Sequence, residues 1–112
     1  MSCEGVYKVE MKGPYGWERF STAFMRNGEY LGASANHHSV GSYKEDGDNV
    51  EISMVTTQHG DIRSIFGQKS PEKLQITTKG KIKKNKIIGT SKAKGIKKFD
   101  LLLRFTRLDS LE

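Results

Sequence analysis

Turn-forming chemistry recurs about every ten residues along this chain, and the segments between turns alternate apolar and polar side chains. That combination leaves room for little but short antiparallel strands, because period-two alternation puts one face in a core and the other in water. Asn27-Gly28 is the strongest turn signal, since both residues tolerate the positive φ of a type I′ hairpin. Further turn signals stand at Gly13-Pro14-Tyr15-Gly16, Asp46-Gly47-Asp48-Asn49, Gly67–Pro71, Lys83–Asn85 and Lys94-Gly95. Between them Tyr7, Val9 and Met11 oppose Lys8, Glu10 and Lys12, and Val50, Ile52 and Met54 oppose Glu51 and Ser53. Leu74, Ile76, Thr78 and Ile82 oppose a lysine-rich face, and Phe99, Leu101, Leu103 and Phe105 oppose Asp100, Arg104 and Thr106. Only a short turn around Asp61–Phe66 hints at helical spacing.

These patterns predict eight strands, at about 5–12, 17–26, 29–36, 39–45, 49–57, 72–82, 86–93 and 97–107. Short connections favour an up-and-down order. Closing that order removes exposed edges, so the expected fold is all-β: a small eight-stranded antiparallel β-barrel. The alternative is an open, strongly curved sheet that gains its cover by dimerising. Gly28–Ser34 and Asn85–Ser91 echo one another, each with a turn residue, a bulky pair, then Gly, a small residue and Ser. A glycine inside a strand marks a bend or a close approach of backbones.

At 112 residues the chain suits one domain. It contains no apolar run near the roughly 20 residues that span a bilayer. The first residues lack the basic and apolar regions of a secretory signal, and the lone Cys3 allows no internal disulfide. A reducing cytoplasm is the expected setting. The net charge of +6 is unevenly spread: residues 1–56 carry 5 basic against 8 acidic residues, and residues 57–112 carry 14 against 5. Such a dipolar domain can be steered toward nucleic acid or toward another protein's charged surface.

The basic excess gathers in Gly80–Lys98, where eight of nineteen residues are lysine and none is acidic. In the strand register Lys79, Lys81 and Lys83 share an outward face with Lys86, Lys92 and Lys94 of the return strand, while Ile87, Gly89, Ser91 and Ala93 turn inward. Lysines are what a soluble hairpin needs there, and they discourage edge-to-edge pairing. They also form a positive surface for an anionic partner. The stretch holds no aromatic residue on which bases could stack, so any nucleic-acid contact would be electrostatic.

Other candidates are weaker. His37 and His38 are neighbours that must point to opposite faces of a strand, and His59 lies elsewhere, so they do not make a zinc site. No nucleophile elbow, phosphate loop or dinucleotide fingerprint is present, and no enzyme activity or cofactor is expected. Small or polar inward positions at Gly32, Ser34, Thr56, Thr78, Gly89 and Ser91 could line a cavity for a small apolar ligand. They could equally belong to a tight core filled by Trp17, Phe20, Phe24, Phe99 and Phe105. The turn Lys44–Asn49 exposes Glu45, Asp46 and Asp48; it is too short for a calcium-binding EF-hand loop and reads as a solubilising turn or as a negative patch for a basic partner.

The order of these features carries a resemblance. Glu4-Gly5-Val6-Tyr7 opens the first strand, Asn27-Gly28 and then Gly32 follow, and Gly41–Ile52 runs strand, acidic turn, strand. Over residues 4–57 this resembles the GrlR-like family, bacterial negative regulators of type III secretion genes. The resemblance implies a lipocalin-like eight-stranded barrel that dimerises and sequesters a helix-turn-helix transcriptional activator. It also implies that an exposed acidic turn contributes to that contact, carried here by Glu45, Asp46 and Asp48, with Gly47 in place of a further acid.

Overall fold

In a computed structural model the chain forms a closed barrel of eight antiparallel strands in sequence order. The structure describes residues 3–13, 16–34, 37–58, 73–95 and 101–109. The strands are β1 (Gly5–Gly13), β2 (Gly16–Arg26), β3 (Glu29–Ala33), β4 (His37–Asp46), β5 (Asn49–Gln58), β6 (Lys73–Lys83), β7 (Lys86–Ala93) and β8 (Leu101–Asp109). Each pairs with the next, and β8 returns to β1 through Val9↔Phe105 and its neighbours, so no edge is left open.

The hairpins follow their turn residues. Asn27 and Gly28 both have positive φ, 53° and 79°, as a type I′ turn demands. Gly47 supplies a φ of 62° between β4 and β5. The β6–β7 turn is held by Lys84 at φ 56°, with Lys83 paired to Lys86. All three turns lie at the same end of the barrel as Cys3. The predicted turn at Gly67–Pro71, the helical hint at Asp61–Phe66 and the start of the last predicted strand fall outside the described residues.

Alternation fills the interior. Tyr7, Val9, Met25, Tyr30, Ile52, Ile87, Leu103 and Phe105 are at most 2 % exposed. The Phe105 ring meets Tyr7 and Tyr30 edge to face, at centroid distances of 6.4 and 6.3 Å. Two hydroxyl pairs satisfy the polar residues that also point inward, Ser39 with Thr56 at 2.8 Å and Thr78 with Ser91 at 2.7 Å. Gly41 is the most tightly held glycine: a Cβ there would collide with the Ser53 carbonyl and lie 2.7 Å from the Met54 Cα. Gly80 and Gly89 pair directly, and a Cβ on either would lie 2.8 Å from a carbonyl oxygen of the facing strand.

Two expectations for the core need correction. Trp17 and Phe24 do not fill it. Val9 pairs with Ser21 but Glu10 pairs with Arg19, so Phe20 is an extra residue in β2. The bulge lets Phe20 and Ser21 both turn inward and changes the parity of the strand. Trp17 then faces out beside Lys12, with the Arg104 guanidinium 4.2 Å above its ring, and Phe24 is 44 % exposed. Phe99 lies outside the described residues. The boundary between the third and fourth strands also differs: β3 stops at Ala33 and β4 already begins at His37.

Candidate interaction surfaces

The acidic turn joins two ten-residue strands whose register runs unbroken from His37↔Gln58 to Asp46↔Asn49. All three of its acidic residues are exposed, and they differ in what they hold. Glu45 pairs with the buried Val50, and its Oε1 accepts a hydrogen bond from the Cys3 backbone N–H at 2.9 Å. Glu45 thus helps fasten the N-terminal segment across the end of the barrel. Tyr7 Oη donates to the Cys3 carbonyl at 2.6 Å, Arg107 Nη2 donates to Tyr7 Oη at 3.1 Å, and Glu4 Oε2 accepts from the Asn27 N–H at 3.0 Å. Burial, then the hydrogen bond and charge of Glu45, push the Cys3 thiol up to about 12, far from a nucleophilic thiolate at neutral pH.

The six lysines Lys79, Lys81, Lys83, Lys86, Lys92 and Lys94 are all exposed, opposite the buried Ile87, Gly89, Ser91 and Ala93. Lys83 and Lys86 face each other directly across the β6–β7 ladder, which like charges disfavour. Sequence reading treated the acidic turn and the lysines as separate features, but the barrel brings them together. Asn49 pairs with Lys81, and the Asp48 carbonyl accepts from the Ile82 N–H at 2.8 Å. Beside this junction an outer groove of about 590 Å³ is floored by Gly80 and Gly89 and walled by Ile88 and Leu102. Lys44, Lys79 and Lys81 line it, with Asp46 and Glu51 among them.

The histidines part as strand neighbours do. His37 is buried, its ring 4.7 Å from that of Phe20 and its Nδ1 2.7 Å from Ser34 Oγ, while His38 faces out. His59 lies outside the described residues.

One surface was missed by sequence reading. Phe24 pairs with Leu31, Leu31 with Val40, and Val40 with Val55, so four large apolar side chains stand in one row across β2, β3, β4 and β5. They are 44, 49, 54 and 42 % exposed. Half-buried Val6, paired to Phe24, extends the row onto β1, and exposed Leu108, the extra residue of a bulge in β8, adjoins it. The available signal was that Phe24, Leu31 and Val55 each sit next to an apolar core residue, as in Phe24-Met25, Tyr30-Leu31 and Met54-Val55, whereas Val40 stands between Ser39 and Gly41 and gives no such signal.

No protein-family model matches the chain, and no curated protein matches it.

Proposed function

We propose that this chain is a non-enzymatic β-barrel binding protein that acts by protein–protein contact, in the manner of the cytoplasmic GrlR-like regulators it resembles. The observation that carries this reading is how the acidic turn is presented. An uninterrupted hairpin, tied to β6 through the Asp48 carbonyl, holds Asp46 and Asp48 at an exposed tip. A tip whose backbone is fixed loses little main-chain freedom when a partner binds, so more of its attraction for a basic surface appears as affinity. A helix-turn-helix activator is a suitable partner, because the surface that binds DNA phosphates is basic.

The test is reversal of two charges. Asp46→Lys with Asp48→Lys is expected to abolish capture of a helix-turn-helix activator that the wild-type barrel captures, while leaving the far-ultraviolet circular dichroism unchanged. Glu45 is left intact in that variant, because its carboxylate holds Cys3. Undiminished capture would end this reading.

The exposed lysine face supports a second reading, electrostatic contact with an anionic partner such as nucleic acid. It predicts binding that falls steeply as salt rises. Binding that ignores salt, or none at low salt, removes it.

A further inference from the structure

We propose that the outer groove between β5 and β8 binds one small amphiphile, an anionic headgroup carried on an aliphatic chain. Such a site needs neither an activator at the acidic turn nor a polyanion along the lysine face. The four side chains it relies on, Lys79, Lys81, Ile88 and Leu102, all lie outside that turn.

The groove is charged at one end and apolar at the other, because two outward rows of side chains flank it. One row runs Lys44–Glu51–Lys79–Thr90–Leu102 from β4 to β8, and the other runs Asp46–Asn49–Lys81–Ile88 from β4 to β7. Charge therefore gathers over β4–β6, and the rows become aliphatic at Ile88 and Leu102. The next residue of the second row, Arg104, is committed to Glu10 and to the Trp17 ring. Gly80 and Gly89 pair between the rows, and their backbone makes the floor. A volume of about 590 Å³ lies within the range of sites that take small molecules. Ile88 and Leu102 are both exposed, so a chain laid against them removes apolar surface from water.

The charged end selects the headgroup. Lys79 and Lys81 stand two apart on one strand, so their stems leave the same face about 7 Å from each other and both ammonium groups can reach one anion. Among the described residues neither makes a salt bridge. Glu51 stands between Lys44 and Lys79 in its row, whereas Lys81 has Asn49 and Ile88 on either side. Three lysines against Asp46 and Glu51 leave the groove one net positive charge, the complement of one anionic head.

The same two carboxylates disfavour a longer anion in the groove. A nucleic-acid strand crossing it brings a phosphate against Asp46 or Glu51, where like charges repel. No aromatic side chain lines the groove to stack a base. A single head held by Lys79 and Lys81, with its chain over Ile88 and Leu102, keeps to the β7 side of both carboxylates. The groove opens on the outer wall, so this ligand enters without parting the strands of the barrel.

Amide NMR of the full chain, titrated in turn with octanoate, octyl phosphate and octanol, tests this. Octanoate and octyl phosphate are expected to shift the Gly80, Gly89 and Thr90 amides saturably, and octanol to bind about tenfold more weakly. Lys79→Gln with Lys81→Gln should weaken octanoate by about tenfold and leave octanol unchanged, while Leu102→Ser should weaken all three. Retained dispersion of the amide spectrum shows that each variant is folded. If a variant loses it, wild type at raised salt decides: octanoate binding must weaken and octanol binding must not. Octanol binding as tightly as octanoate, shifts centred away from the groove, or no saturable shift at all would each overturn the proposal. So would a double-glutamine variant that binds octanoate as the wild type does. Phosphatidylglycerol vesicles or an oligothymidylate that perturb the groove amides when octanoate and octyl phosphate do not would assign the surface to a membrane or to nucleic acid, and end the small-ligand site. Asp46 and Asp48 are untouched throughout, so failure here leaves capture by the acidic turn standing.

Discussion

The wall formed by β2–β5 and the wall formed by β6–β7 are alike inside and unlike outside. Inside, each carries a hydrogen-bonded hydroxyl pair, Ser39–Thr56 in one and Thr78–Ser91 in the other, among buried apolar residues. Outside, the first shows a ridge of Phe24, Leu31, Val40 and Val55, and the second shows six lysines. Closing a barrel constrains only the inward half of each strand. The outward half is free to be polar, so lysines there satisfy solubility, whereas an in-register apolar ridge does not. The departure from what folding needs is larger on the wall where charge is less dense and of both signs.

The largest expected effect is at the backbone that supports the ridge. Gly41→Ala must displace the Ser53–Met54 backbone of β5, and overpacking of this kind, at a site where backbone rather than a side chain blocks the way, should cost about 3 kcal/mol or more. Gly89→Ala in the other wall meets the Lys79 carbonyl at 2.8 Å and should cost less. Urea denaturation of the two variants ranks them, and the reverse order would show that the lysine wall is the less forgiving.

Next come the paired hydroxyls, where the two walls should behave alike. Ser91→Ala strands the Thr78 hydroxyl and Ser39→Ala strands that of Thr56, each at about 1–3 kcal/mol. Thr78→Val combined with Ser91→Ala should recover most of that loss, because neither partner then remains unsatisfied. A double variant as unstable as the two singles added together would mean that the hydroxyls bond elsewhere.

Alkaline pH acts mainly at the barrel end and interior. Burial raises the Cys3 thiol from 9.0 to about 12 and raises the Tyr30 phenol as well. For such acids the unfolded chain ionises first, so their contribution is complete below pH 9 and is lost as pH rises above it. Stability measured by chemical denaturation should be flat from pH 7 to about 8.5. Above that it should fall by about 1.4 kcal/mol per pH unit for Cys3, and above pH 10.0, the ordinary value of a tyrosine, by a similar further slope for Tyr30. Cys3→Ser should make the first part of that fall shallower.

The smallest effect concerns the lysine hairpin. Lys84 holds a left-handed conformation at φ 56° that costs a non-glycine residue roughly 1 kcal/mol, whereas Asn27 in the matching turn tolerates it. Lys84→Gly is therefore expected to raise the melting temperature by a few degrees. An unchanged or lower value would show that Lys84 is held there by something worth more than its strain.

The strands were legible because alternation is local. Val50, Ile52 and Met54 declare an inner face without reference to any other part of the chain. Alternation was silent where neighbours are both apolar, as at Phe24-Met25, Tyr30-Leu31 and Met54-Val55, and three of the four ridge residues lay hidden in those pairs. It misled in β2, where the Phe20 bulge exists only in relation to the pairing of β1. The acidic turn was visible as a run of residues, but not the division of labour within it. That division depends on Cys3, 42 positions from Glu45.

By itself, then, the sequence determined the number of strands, their antiparallel order, and for most of them which residues look inward. Each of those follows from turn chemistry and two-residue periodicity, which act over a few bonds. Tertiary structure alone decided which outward residues stand side by side: Phe24 with Leu31, Val40 and Val55 in a ridge, and the acidic turn against Lys81. The physical reason is register. Cross-strand neighbours are set by how every strand slides against the next when the barrel closes, bulges included, and no single segment contains that information.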